Sequence, residues 1–503
     1  MDGFASLLSG VGIGLATALT PENLLFCFIG VFLGTLMGVL PGIGALTAIA
    51  MLMPMSFYLD PATALIMMAG IYYGSSFGGS TASILINVPG TPGAAVVCLD
   101  GYPMARQGRA GVALVLAALA SFFAGCVGIL IMMIFSPLIA SVALEFGATE
   151  YFALMSLGLI AAAAVSGNSI LKGTMMVALG MFASVVGMDI YTAVPRFTFG
   201  VPEFFEGIGL VPMAMGLFGI SEVIASARTV QHGQVRKVDL KSMFPTREDM
   251  SRSVMPAVRG TAVGSFFGII PGIGSTVACF LSYSLEKKVA KHPERFGHGA
   301  VEGVVAPEAS NNAADQVSFI PTLTLGIPGS ATMALILGVL MIHGITPGPA
   351  MVTNNPEIFW GLVMSFWVGN LMLLLLNIPF VGIWVRLLQI PYHYLYPAIL
   401  MFVCIGVYAI NLSVVDIWTA IAFGLLGYVM RVVGLPIAPM LLGFILGGLM
   451  EEHFRRALVL SGGDMMTFVE RPLSGVTLGL AGLVLLYGVI AAMRRKPAIS
   501  ASA

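Results

Sequence analysis

No lysine or arginine occurs before Arg106, and none occurs between Arg295 and Arg386. Backbone crossing such long apolar stretches, free of Lys and Arg, must satisfy its own N–H and C=O groups, which restricts it to regular spanning elements. Composition extends the point to the whole chain: of 503 residues, 58% are hydrophobic and 9% charged, where a soluble domain carries roughly 25% charged residues. That is too little charge to clothe a water-facing surface. The chain reads as an integral membrane protein whose apolar runs are transmembrane helices. The net charge of −1 says nothing of partners, because orientation in a membrane depends on where Lys and Arg lie. Nucleic-acid binding has no basic face to use.

Within these apolar surroundings one four-residue break occurs twice, as Pro41-Gly42-Ile43-Gly44 and Pro271-Gly272-Ile273-Gly274. Proline lacks an amide donor and glycine lacks a side chain, so a helix entering either motif should stop there with carbonyls unpaired. In hydrocarbon such backbone is tolerated only where protein or a water-filled cavity receives it. A second discontinuity is expected over Tyr73 to Thr81 and on into Asn87-Val88-Pro89-Gly90-Thr91. In the second half Glu308 to Ala313 answers the stretch near 75–81, and Gly326-Ile327-Pro328-Gly329-Ser330 answers Asn87 to Thr91. The first motif recurs after 230 positions (271 minus 41) and the second after 239 (328 minus 89). The polar loop Lys287 to Phe296 is the obvious insertion.

The expected fold is an all-α polytopic membrane protein built from two inverted-topology repeats. Each has a re-entrant hairpin and broken helices plus a group of scaffold helices, with about 11–12 transmembrane segments in all. The expected division is an N-terminal apolar segment, 1–23; a first repeat, 24–227, with a transport part at 24–105 and scaffold helices at 111–225; a cytoplasmic basic loop, 228–259; a second repeat, 260–450, with its transport part at 260–342 and scaffold helices at 359–450; and a final helix and cytoplasmic tail, 451–503. Basic loops flank the second hairpin on both sides, whereas the first has none, so the repeats enter from opposite faces. Lys172, Arg386, Arg431 and the C-terminal basics fit the cytoplasmic side, while Arg196, Arg455, Arg456 and Arg471 fall outside. No basic n-region precedes the first apolar run, so a cleaved secretory signal is not expected.

Gly38 to Gly44, Tyr73-Gly74-Ser75 with Gly78-Gly79-Ser80, Asn87 to Pro92, Pro307 to Ala313 and Gly326 to Gly329 together resemble the large membrane subunit of the tripartite tricarboxylate transporter family. The resemblance covers nearly the whole chain. It implies a bacterial inner-membrane secondary transporter working with a small four-helix membrane subunit and a periplasmic solute-binding protein, typified by citrate uptake coupled to a cation gradient. It leaves the carboxylate, the choice of Na+ or H+, and a homodimer of the complex open. No cofactor is expected, nor any metal beyond a transported Na+.

The chemistry of the breaks agrees. Neither break region holds a Lys or Arg, so a bound anion would rest on half-helix N-termini and neutral donors. Candidate substrate contacts are Gly42, Gly44, Thr47, Ser75, Ser76, Ser80, Thr81, Asn87 and Thr91 in one copy. In the other they are Gly272, Gly274, Ser275, Thr276, Ser310, Asn311, Asn312 and Ser330. Pro41, Pro89, Gly90, Pro271, Pro328 and Gly329 make the breaks. For a coupled cation, the carbonyls of Leu40 and Ile270 and the carboxylates of Glu308 and Asp315 are candidates, the last two sharing one helical face and able to charge a cation site or carry a proton; the bland alternative is that these acids pair with a nearby amide or line water without moving anything.

Other readings are weaker. Isolated Gly-x-x-x-Gly spacings such as Gly30 to Gly34 suit helix packing. The five cysteines, Cys27, Cys98, Cys126, Cys279 and Cys404, are scattered and read as core filler. A membrane-embedded hydrolase would need a nucleophile with its base or a His-Glu-x-x-His helix, and Glu451-Glu452-His453 has no second histidine. A passive anion channel would more often be a ring of subunits. The preferred motion is an elevator slide of the broken-helix parts, with rocking as the alternative.

Overall fold

The structure, a computed structural model, describes residues 2–40, 43–165, 169–189, 191–226, 243–270, 274–387 and 392–494. Pro41, Gly42, Pro271 and Gly272, together with residues 228–242 of the basic loop, lie outside the described residues. The described chain is helical almost throughout. One two-residue strand pair, Gly187–Met188 with Pro195–Arg196, is the exception. The protein is an all-α polytopic membrane protein.

In chain order the helices are α1 (Asp2–Ala18), α2 (Pro21–Val39), α3 (Gly44–Ser56), α4 (Pro61–Ile86), α5 (Cys98–Arg106), α6 (Ala110–Ala143), α7 (Ala148–Val165) and α8 (Ile170–Ser184). Then α9 (Leu210–Ala214) passes through a π-helical turn at Met215–Ile220 into α10 (Ser221–Ser226). The second half holds α11 (Arg247–Gly268), α12 (Gly274–Val289), α13 (Val301–Val317), α14 (Phe319–Leu325), α15 (Ala331–Ile342), α16 (Pro349–Asn354), α17 (Pro356–Asn377), α18 (Val381–Leu387), α19 (Tyr392–Asn411) and α20 (Val414–Val433). The last are α21 (Ile437–Leu460), α22 (Thr467–Glu470) and α23 (Pro472–Arg494). Among the described residues five helices, α2, α6, α17, α20 and α21, are long and apolar enough to cross a bilayer, and several shorter apolar helices accompany them.

The chain divides into two compact units, Met1–Leu144 with Leu210–Tyr428, and Glu145–Gly209 with Val429–Ala503. The first holds both broken regions. Local signals start and stop its helices. Thr20 caps α2 by accepting from the Asn23 N–H, with Pro21 at the first helical position. Thr246 and Asp249 form a reciprocal capping box at the start of α11.

Glycine seams pair the helices. A Cβ on Gly30, Gly34 or Gly38 of α2 would overlap the backbone of Met67, Ile71 or Ser75 on α4. A Cβ on Gly260, Gly264 or Gly268 of α11 would overlap Ala306, Ser310 or Ala314 on α13. Each glycine recurs after 230 positions and each partner after 239, the offsets found in the sequence. Small residues let the backbones touch, as in membrane helix pairs generally.

This register corrects two details of the sequence reading. Glu308 to Ala313 corresponds to 69–74, not to 75–81. The Ser/Gly stretch is also no discontinuity, because α4 runs through it to Ile86. Its hydroxyls bond back one turn, Ser83 to the Gly79 carbonyl at 2.9 Å and Thr81 to the Phe77 carbonyl at 3.3 Å, and so stay inside the helix. The break comes at Asn87, which is left-handed with φ 58°; its counterpart Gly326 closes α14 with φ 69°.

The second unit packs α8 on α21 through Gly180 and Gly443, against Met440 and Val177. Asp189 there meets Arg196 at 3.2 Å and Arg455 at 3.0 Å.

Candidate functional site

Each copy brings its hairpin tip to its own Pro-Gly break. Gly44 begins α3 with φ 60° and faces the Gly90 carbonyl; Gly274 begins α12 with φ 66° and faces Ser330. L-residues rarely adopt such backbone, which explains glycine at both tips. Gly90 lies against the Gly38 carbonyl and Gly79, and Gly329 lies against the Gly268 carbonyl and Ser318. The partners of Gly90 and Gly329 correspond by the same two offsets, whereas Gly274 faces Ser330, one position beyond the counterpart of Gly90.

Between them lies a buried polar network contributed by both copies. Asp315 Oδ1 accepts from the Tyr72 hydroxyl at 2.5 Å, and Oδ2 accepts from Ser76 at 2.6 Å. Glu308 Oε1 accepts from Ser80, and Oε2 accepts from Ser121 of α6 at 3.1 Å. Asn312 Nδ2 donates to Ser121 Oγ at 2.7 Å. Asn311 Oδ1 lies 3.5 Å from Cys279 Sγ, and a side chain at Gly93 would strike that oxygen. Glu308 and Asp315 are each 1% exposed. Among the described residues no ion pair reaches either of them. Hydroxyl donors therefore hold both carboxylates, and burying a carboxylate without an opposite charge beside it is costly.

The hydroxyls of Ser75, Ser310 and Thr91 are buried without a partner. Ser330 caps α15, accepting from the Met333 N–H at 3.2 Å. Thr47 is turned away from the network and donates to the Phe218 carbonyl in the π-helical turn, at 3.4 Å. Asn87 is exposed, whereas Ser275 and Thr276 are half-buried. Pro89 and Pro328 follow the two left-handed residues as breakers. The Leu40 carbonyl accepts a long bond from the Ile43 N–H, 3.4 Å, and the Ile270 N–H donates to the Phe267 carbonyl at 3.2 Å.

Sequence reasoning missed Tyr72, Ser121 and Asn377, the last buried at the end of α17 in the lining it shares with Ser121 and Glu308. Tyr72 was findable, since Tyr72, Ser76 and Ser80 recur every four residues on one face of α4. Ser121 is a lone hydroxyl in a long apolar run, and only the packing of α6 on α13 gives it meaning. Their shared core of Leu116, Ala120, Val305 and Ala309 sets Ser121 opposite Glu308.

Residues 24–442 match the family described as "Tripartite tricarboxylate transporter TctA family". Over 484 residues, 95% of this chain and 96% of the relative, the chain is 51% identical to an Agrobacterium vitis protein described as "Uncharacterized 52.8 kDa protein in TAR-I ttuC' 3'region". It is 50% identical over 233 residues to a second protein of that organism, "Uncharacterized protein in TAR-II ttuC' 3'region", covering 46% of this chain and 96% of the relative. No solved structure matches it. With a family match over most of its length, the chain belongs to the tripartite tricarboxylate transporter TctA family.

Proposed function

We propose that this chain is the large permease subunit of a binding-protein-dependent secondary transporter that imports citrate-like tricarboxylates or related carboxylates. Its partners are a small four-helix membrane subunit and a periplasmic solute-binding protein. It sits in a bacterial inner membrane with its C-terminus in the cytoplasm. A Na+ or H+ gradient drives it by alternating access, with the broken-helix parts sliding as an elevator.

The observation that carries this reading is that Glu308 and Asp315 lie buried between two matched breaks, with no ion pair to either among the described residues. An anionic substrate approaching them meets repulsion unless a cation or proton is present. Neutralisation therefore favours substrate binding, and by linkage bound substrate favours the cation equally. The substrate carboxylates rest on the amides and hydroxyls at the tips, from Gly44, Thr91, Gly274, Ser275 and Ser330, which hold an anion without fixing it as a lysine would.

Proteoliposomes containing all three subunits, given a panel of di- and tricarboxylates with Na+ and H+ gradients imposed separately, test the reading. Accumulation should require one of the gradients. Downhill equilibration that ignores both would make the chain a channel. Cysteines at Thr91 and Ser330 should change accessibility in step when substrate and ion are added, and independent labelling would remove the elevator.

A further inference from the structure

A small cavity lies beside Glu308, with neither Gly44 nor Gly274 in its lining and with room for about one water-sized body. Its polar lining is Glu308, Ser80, Thr81, Ser121 and Asn377, and Phe77 and Leu114 help to close it. Asn377 is 8% exposed. Its Nδ2 donates to the Leu373 carbonyl at 2.9 Å, while its Oδ1 has no partner. Ser80 and Ser121 both turn their protons toward Glu308, which leaves oxygen lone pairs for the cavity. The lining thus offers one carboxylate and four neutral oxygens, without an imidazole or a thiol. A hard cation selects oxygen donors of this kind.

We infer that the Glu308 cavity is a Na+ site, formed by Glu308, Ser80, Thr81, Ser121 and Asn377 and separate from the substrate contacts at the tips. The inference deepens the cation-coupled reading above and rests on it for its role in transport. Protonation would neutralise Glu308 but leave the Asn377 oxygen bare, whereas a cation in the cavity meets both needs. Asp315 differs. Tyr72 and Ser76 already satisfy both its oxygens, and it does not line the cavity, so it positions the two copies and holds no ion. The site spans four helices: α4, which supplies Ser80 and Thr81; α13, which supplies Glu308; α6, which supplies Ser121; and α17, which supplies Asn377.

The test is equilibrium binding of radioactive Na+ to the full chain in lipid nanodiscs, without carboxylate, with choline holding ionic strength constant. Saturable binding is expected, with K+ a weak competitor. Glu308→Gln and Asn377→Leu should each weaken it by at least about tenfold, the scale seen when a metal site loses supporting groups. Asn377→Asp keeps the oxygen and adds charge, so it should bind Na+ more tightly, a gain that a merely misfolded variant could not give. Na+ should also raise the melting temperature of the parent chain and not that of Glu308→Gln. Absence of saturable binding by the parent chain, or parental affinity in both Glu308→Gln and Asn377→Leu, overturns the inference. Carboxylate uptake driven by H+ alone, with no Na+ bound, would sink this site and leave the transporter reading standing. Na+ binding without carboxylate uptake would do the reverse.

Discussion

Ser76 Oγ donates to Asp315 Oδ2 at 2.6 Å, and these two residues hold the same position in the two repeats, 239 apart (315 minus 76). A contact between equivalent residues lies on the pseudo-two-fold relation itself, as a residue meeting its own copy does in a symmetric dimer. The repeats are therefore joined by a bond in which one copy has kept a donor and the other an acceptor.

Removing that donor should be felt by the fold before it is felt by the substrate. Ser76→Ala is expected to cost about 1–3 kcal/mol, the penalty for a buried acceptor losing its partner. Ser76→Asp sets two carboxylates together and should cost more. The exchange Ser76→Asp with Asp315→Ser should recover most of that loss, because the positions are equivalent. Melting temperatures of the four proteins in detergent decide the matter, and a double variant no better than Ser76→Asp would show that the equivalence is one of sequence only.

The glycine seams predict a paired sensitivity. Gly34→Ala and Gly264→Ala each drive a methyl into a facing carbonyl, at Ile71 and at Ser310. Each should destabilise by about 1–3 kcal/mol, as overpacking does. Gly12→Ala is the contrast, since a Cβ there meets nothing within 4 Å. It should be neutral or stabilise α1 by about 0.5–1 kcal/mol. Unfolding profiles of the three variants should fall in that order.

Asp100 joins α5 to the loop before α13. Its Oδ1 accepts from the N–H groups of Gly297, Gly299 and Ala300 at 2.8–2.9 Å, and its Oδ2 accepts from the Tyr283 hydroxyl at 2.9 Å. Asp100→Ala leaves all four donors bare and should cost at least about 3 kcal/mol. Asp100→Asn, which keeps one oxygen, should cost less. Hydrogen exchange at residues 297–300 should quicken in both, most in the alanine variant.

In the second unit, Asp189 carries a pH signature. Its carboxyl is held down to about 2 by the Thr192 N–H, against the opposing effect of burial, with help from the Tyr191 N–H, the Thr192 hydroxyl and Arg455. A depressed folded value means the stabilisation is complete above the ordinary value of 3.8 and is lost as pH falls toward 2. The stability difference between the parent chain and Asp189→Asn should therefore be constant near neutrality and shrink between about pH 4 and pH 2. A difference that persists at pH 2 would assign the effect to packing.

Much of this architecture is legible in the residues. Lack of charge and the spacing of Pro41 and Pro271 announce a duplicated helical membrane protein, because proline and glycine act locally on the backbone. The register between copies is less legible. It depends on which glycine faces which carbonyl, and the likeness of Glu308 to Ala313 with the stretch near 75–81 misleads by one or two turns. Serine content also misleads at Ser80 to Ser83, where hydroxyls that suggest irregular backbone are satisfied one turn earlier in an intact helix. Ser121 and Asn377 have no local mark, since their meaning comes from helices distant in sequence.

The seams of Gly30, Gly34 and Gly38, and of Gly260, Gly264 and Gly268, have a mechanical consequence. Backbones in direct contact leave no cushion of flexible side chains to absorb displacement, so each hairpin arm and the helix beside it behave as one stiff plank. The helices on the far side of the two seams, α4 and α13, are the ones that carry Ser76, Ser80, Glu308 and Asp315.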